Sequence, residues 1–503
     1  MARIKGTSGN NTLTGTAADD VLIGGGGNDI LNGGDGHDIA QYMGNLAEYR
    51  FSNVDGKLVV TSSGAEGKDT LNSIEALQFG NGQLAVSSAE FQVNTYTTSD
   101  QTAPSITALV GGGFVVSWSS FGQDSDGWGI YAQRYDANGA LMGAEFQVNS
   151  YTDGEQTQSS ITGLADGGFV AVWTSVGQDG AVDNYNVYAQ RYDVNGVAQD
   201  VEFRINADIS YNQSLPNVTT LADGSYIVSW SSNAQEGGSY GIYAKHYDAN
   251  GTAQNIEFRA NTYITNDQID SSITALADGG FVITWTSLGQ DGSSYGVYAQ
   301  IYNADDVAQG GEFRVNSTIS NTQSEPRVAG LNEGGFVVTW LSNLQDGSGY
   351  GVYAQRYNSN GLALGAEFKV NTTTTNDQSN SSITALTDGG FVVTWTSNGQ
   401  DGDGYGIYAQ RYDASGVAQG GEFQVNTYTT SNQYNSNITA LADGGFVVSW
   451  TSDGQDGDGY GIYAQRYDAN GNAVGTKLTG TANADVINLN AGDAGLVVDG
   501  AGG

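Results

Sequence analysis

Cysteine is absent from the 503 residues. That excludes a disulfide framework and thiolate metal sites. Proline occurs three times. Basic residues are scarce as well: Lys and Arg total 17 against 54 Asp and Glu, a net charge of −37. Such a field repels phosphate backbones, so nucleic acid is excluded as a partner, and it suits cations. No apolar run approaches the ~20 residues a membrane-spanning helix needs, and no membrane span is expected. The opening MARIKGTSGN lacks the apolar core of a usual export signal. There are two histidines, His37 and His246. Neither has neighbours in sequence that point to a triad or a metal cage. No catalytic residue, no bound organic cofactor and no enzyme activity are therefore expected.

Glycine (74 residues) and tyrosine (29) are plentiful. With Val, Ile, Phe and Thr, they read as turn-dense β structure. A unit of about 55 residues recurs seven times, shown best by Gly421 to Gly475. Its EF-type start falls at Glu90, Glu145, Glu202, Glu257, Glu312, Glu367 and Glu422, spaced 55, 57, 55, 55, 55 and 55. Each copy carries four strand signals. In one copy they are SSITAL (Ser381 to Leu386), FVVTWTS (Phe391 to Ser397), YGIYAQRYD (Tyr405 to Asp413) and VAQGGEFQVN (Val417 to Asn426). Gly-rich turns join them. The second strand is apolar on both faces, as expected of a sheet packed between two others. Its Trp occurs in all seven copies, from Trp118 to Trp450.

These features predict an all-β chain built on a seven-bladed β-propeller of four-stranded blades. The phase predicts how the ring closes. Glu90 begins a fourth-strand pattern with no earlier strands of its own, whereas the copy ending near Tyr467 lacks a matching fourth strand. The first can complete the last, which removes an exposed edge.

Four nine-residue units run from Gly6 to Gln41: GTSGNNTLT, GTAADDVLI, GGGGNDILN and GGDGHDIAQ. The last two follow the glycine-rich calcium-binding pattern G-G-x-G-x-D-x-U-x closely, U being a large apolar residue. Glycines permit the tight turn, and Asp offers a hard oxygen to Ca²⁺. The segment resembles the RTX (haemolysin-type calcium-binding) repeat family. Gly67 to Gly82 looks like the segment that closes such a block. The resemblance implies a parallel β-roll with Asp20, Asp29 and Asp38 as side-chain ligands. It implies carbonyl ligands from Gly24, Gly25, Gly33 and Gly34. Asn11 replaces an Asp and the first two units lack the second Gly, so one or two calcium sites are expected. The resemblance also implies a Gram-negative, extracellular protein exported by the type I route.

The expected organisation is a roll over 1–41, a small β cap over 42–88, the ring over 89–476, and a second RTX-like segment starting at 477–503. The GTANADVIN unit from Gly480 carries the last expectation, and the chain end inside such a unit implies a piece of a longer protein. Within the ring, three loops carry paired acids: Asp124 and Asp126, Asp401 and Asp403, Asp456 and Asp458. A D-x-D-G loop can hold Ca²⁺ through alternate oxygens or cap its own backbone, and the second reading is favoured. Trp128, beside the first of them, is the best candidate for an exposed aromatic contact. The first functional reading is a secreted, calcium-binding, non-enzymatic adhesion protein of the cell surface or matrix. The second is a lectin-like propeller with glycans as partners, and the third a hydrolase on an RTX scaffold.

Overall fold

In the computed structural model the chain is described except for residues 1, 17, 35–37, 55–56, 73, 89, 181–183, 234, 236–237, 480–487, 490–495 and 500–503. His37, the two-residue insertion at Ala181 and Val182, and most of the GTANADVIN unit lie outside the described residues.

The sequence period becomes seven blades. Blade 1 runs Gln101–Ala108, Phe114–Phe121, Trp128–Tyr135 and Phe146–Gln147, each strand antiparallel to the one before. Blades 2 to 6 repeat the order, their first strands being Gln156–Gly163, Gln213–Thr220, Gln268–Ala275, Gln323–Gly330 and Gln378–Ala385. Blade 7 has Gln433–Ala440, Phe446–Asp453 and Tyr460–Tyr467, completed by Phe91–Gln92 from the other end of the ring. The completing strand is composite. Ala473–Val474 pairs with Tyr467 and Arg466, and Phe91–Gln92 pairs with Ala464 and Tyr463. In blade 2 one continuous strand, Ala198–Arg204, makes the equivalent pairs. The predicted closure is present, with the fourth strand split between the two chain ends.

The second strands are buried on both faces because each is sandwiched between neighbouring blades. All seven tryptophans, Trp118 through Trp450, are 0% exposed. Each packs in an apolar cluster drawn from two adjacent blades. Trp173 of blade 2, for example, meets Val115, Ile130 and Val148 of blade 1, and Trp118 meets Val447 and Ile462 of blade 7. The Glu that marks each repeat ties blades together. Thr95 N donates to Glu145 at 2.6 Å, Ser317 N to Glu367 at 2.6 Å, and Thr427 N to Glu90 at 2.6 Å across the closure. The repeated Gln is buried too. In blade 1 the Oε1 of Gln101 accepts from Asn94 at 3.0 Å while its Nε2 donates to the carbonyl of Thr98.

The nonapeptide strands lie on two parallel ladders. Thr12–Thr14 pairs Ile30–Asn32 on one, and Asp20–Ile23 pairs Ile39–Gln41 on the other. Leu13, Leu22, Leu31 and Ala40 point between the sheets into one core with Phe51, Leu77 and Phe79. Strands from beyond the ring join the same sheets. Thr476–Thr479 pairs Gly82–Ser88, Leu496–Asp499 pairs Thr476–Thr479, and Asn488–Leu489 pairs Tyr49–Val54.

Candidate functional site

In the roll, Oδ1 of each nonapeptide Asp accepts the backbone N–H of the residue two units earlier. Ala2 N reaches Asp20, Asn11 N reaches Asp29, and Asp20 N reaches Asp38, all at 2.7 Å. The second oxygens differ. Asp20 Oδ2 accepts from Thr16 N at 2.6 Å and Thr16 Oγ1 at 2.8 Å. These bonds, the backbone one first, hold the Asp20 carboxyl below its usual range. Oδ2 of Asp29 and Oδ2 of Asp38 are buried with no hydrogen-bond partner among the described residues.

The cause lies four residues earlier. Units one and two have Thr7 and Thr16, whose N–H closes on the unit's own Asn11 or Asp20. Units three and four have Gly25 and Gly34 there, in the left-handed region at φ 101° and 108°, a conformation that β-branched Thr resists. A Cβ on Gly25 would also come within 2.1 Å of the Thr7 carbonyl. The glycine turn therefore withholds an N–H that the threonine turn supplies. The carbonyls of Gly24 and Gly33 face Gly6 and Gly15 of the adjoining coil, where a Cβ would come within 2.2 and 1.9 Å of them. A buried carboxylate oxygen without a donor is costly unless a cation meets it, and carboxylate with carbonyl oxygens is the donor set Ca²⁺ takes. Among the described residues no three or more acidic or histidine side chains converge as a metal cage, so carbonyls would have to complete the shell. The described residues fit the ion at Asp29 and Asp38.

Residues 5–40 match the RTX calcium-binding nonapeptide repeat, in 4 copies. Calcium binding through this repeat is thereby supported. A search of curated proteins finds no match to the chain. Solved structures similar to it include a protein of unknown function from Dyadobacter fermentans. That likeness is 12% identical, covers 75% of this chain and 98% of that one, and has a TM-score of 0.46. The NanB sialidase from Streptococcus pneumoniae is 10% identical over 83% and 82% of the two chains, TM-score 0.42. A family PL25 ulvan lyase is 10% identical over 77% and 97%, TM-score 0.48. At these identities the likeness is one of fold alone.

The expectation of a non-enzymatic adhesion module is corrected. Similar solved structures include a sialidase and a polysaccharide lyase, so non-enzymatic adhesion is not carried forward. Single residues break the seven-fold regularity where no insertion marks the place.

One break joins blades 3 and 4. The third strand of most blades has an Arg whose stem packs on a turn glycine of the next blade. Arg134 meets Gly196, Arg191 meets Gly251, and Arg466 meets Gly139. At one joint the Arg is His246, the glycine is Asp306 at φ 63°, and the glycine ending the adjacent turn is Ser225. The three come together. His246 Nδ1 lies 3.0 Å from Asp306 Oδ1, its Nε2 lies 2.8 Å from Ser225 Oγ, and Ser225 Oγ donates to Asp223 Oδ1. The distances are those of a nucleophile, base and acid, an arrangement that reading His246 in isolation missed. The proton count differs from a resting triad. Ser225 Oγ donates its proton to Asp223 and not to the imidazole. Ser225 N also donates to Asp223, and Ser225 is 6% exposed.

The paired loop acids cap backbone. Asp126 N donates to Asp124 Oδ1 at 3.2 Å, and Gly154 N of the next blade's loop donates to Asp126 Oδ2 at 3.2 Å. Ser431 N reaches Asp403 and Ser99 N reaches Asp458 in the same way. Burial raises the carboxyls of Asp124 and Asp456. Asp401 keeps a buried Oδ2 without a partner, against Gly406. Trp128 is half-buried and stands edge-on to Phe121, ring centroids 5.3 Å apart, and Phe121 is 44% exposed. The pair flanks the loop between the second and third strands of blade 1.

Proposed function

We propose that the chain is an exported, calcium-binding bacterial protein in which ion uptake completes the roll and the roll secures the ends of the propeller. The observation that carries this reading is the pair of buried carboxylate oxygens on Asp29 and Asp38 that have no partner among the described residues. Calcium would be held there by Asp29 and Asp38 with carbonyls from the glycine turns. It would supply charge neutralisation between stacked acidic coils and no reaction step. The pairings of Thr476–Thr479 and Leu496–Asp499 with Gly82–Ser88 support reading 1–88 and 477–503 as one roll interrupted by the ring. The match of residues 5–40 to the RTX repeat supports reading the chain as an extracellular protein of a Gram-negative bacterium, exported by the type I route. Such a location exposes the ring to glycans.

Calcium titration of the full chain by calorimetry tests the reading. Asp29→Asn and Asp38→Asn should each weaken binding about tenfold or more, the loss of one charge-assisted contact. Asp20→Asn should weaken it much less. Wild-type affinity in both of the first two variants would sink the assignment.

A further inference from the structure

Each first strand carries a bulge after its second residue. Ladder pairing skips from Thr102 to Ser105, from Ile269 to Ser272 and from Ser324 to Arg327, and likewise in the other blades. The residue at the skip has positive φ in all seven: Ala103, Gln158, Leu215, Asp270, Glu325, Asn380 and Asn435. A bulge re-aims its side chain. The position recurs in every blade, and its residue type changes from blade to blade.

Six of the seven line a cavity of about 330 Å³ at the axis, within the range of small-molecule sites. Its wall is uneven. Blades 4 and 5 contribute Asp270 and Arg327, an ion pair at 3.4 Å. Blades 6 and 7 contribute Asn380 and Asn435, whose side chains bond each other at 2.9 Å. Blades 1 and 3 contribute Pro104, Leu215 and Pro216.

The polar groups have capacity left. Gln158 Oε1 accepts from Thr174 and from Leu215 N, and its Nε2 has no acceptor among the described residues. The same holds for Asn435 Nδ2. Asn380 Oδ1 and Asp270 Oδ2 have no donor among the described residues. Free neutral donors and free acceptors beside an apolar patch match a molecule with hydroxyls on its rim and C–H groups on its face. The surrounding charge of −37 disfavours an anionic version of such a molecule.

We infer that this axial cavity binds the end of a neutral oligosaccharide, held by Asp270, Arg327, Gln158 and Asn435, with Leu215 and Pro216 beneath the sugar face. The site is independent of the calcium roll, so failure of either reading leaves the other standing.

The test is calorimetric titration of the calcium-loaded full chain with neutral glucose, mannose and galactose oligomers of about two to six units, alongside uronate oligomers. At least one neutral series should bind, with Asp270→Ala and Gln158→Ala each weakening it about tenfold or more. Val417→Ser, on an exposed turn residue outside the cavity lining, should bind as wild type does. Gln158 is exposed, so its variant folds even where Asp270→Ala does not. No heat with any neutral oligomer, tighter binding of the uronates, or wild-type affinity in Gln158→Ala would overturn the inference.

Discussion

A single residue decides what each calcium turn can do. Thr16 gives Asp20 two donors, while glycine in the same place leaves Asp29 and Asp38 with a bare oxygen. Gly25→Thr should therefore weaken calcium binding even though it removes no acidic group. It also brings a side chain against the Thr7 carbonyl, so its fold should be checked by circular dichroism. Glu325 is the corresponding case in the ring. Burial raises its carboxyl above the ordinary value of 4.5, with Arg327 offsetting part of the effect. The folded state then holds a proton that the unfolded chain releases sooner. Stability from this group is full below the unfolded value and is lost as pH rises through the folded one. Melting temperatures of Glu325→Gln should be flatter than wild type between pH 4 and neutrality. Parallel curves would place the pH dependence elsewhere.

At the scale of the element, blades are joined by a repeated side-chain clasp, and one joint uses a different solution. Asp306 sits at positive φ where most of the other blades have glycine, a strain of about 1 kcal/mol or more that its bonds to His246 and Asn255 offset. His246→Ala should leave two carboxylates, Asp306 and Asp223, beside an unfilled space, and lower stability by about 2–4 kcal/mol. The double variant His246→Arg with Asp306→Gly recreates the clasp of the other blades and should recover most of that loss. Denaturant unfolding of the two variants checks this. If the double variant is no more stable than His246→Ala, the joint is not interchangeable with the common one.

Two units of different dependence make up the whole molecule. The ring is held by seven interblade cores, the last closed by a two-residue strand and the Glu90 bond to Thr427. The roll has an apolar core of its own but also stacks acidic turns whose repulsion calcium would relieve. Calorimetric melts should therefore show a chelator lowering a roll transition while a second, ring transition stays. Glu90→Ala should lower the ring transition and leave the calcium response intact. One transition that shifts as a unit with chelator would mean that roll and ring unfold together.

Blade number, blade boundaries and the ring closure were legible because a repeat exposes its own period and phase. The double-faced Trp strand and the nonapeptide glycines were legible because burial and positive φ restrict which residues a position accepts. The sequence could also name Asp20, Asp29 and Asp38, but it could not rank them, since the difference lies in where a neighbouring N–H points. It could not join Ser225, His246 and Asp306 either. Ser225 and His246, 21 residues apart, meet by strand pairing within blade 3, whereas Asp306, 60 residues from His246, belongs to blade 4 and comes within hydrogen-bond reach only through packing of one blade on the next. The axial cavity is the extreme case. Seven residues at equivalent places look like ordinary repeat drift along the chain, and only closing the ring brings six of them into one uneven wall.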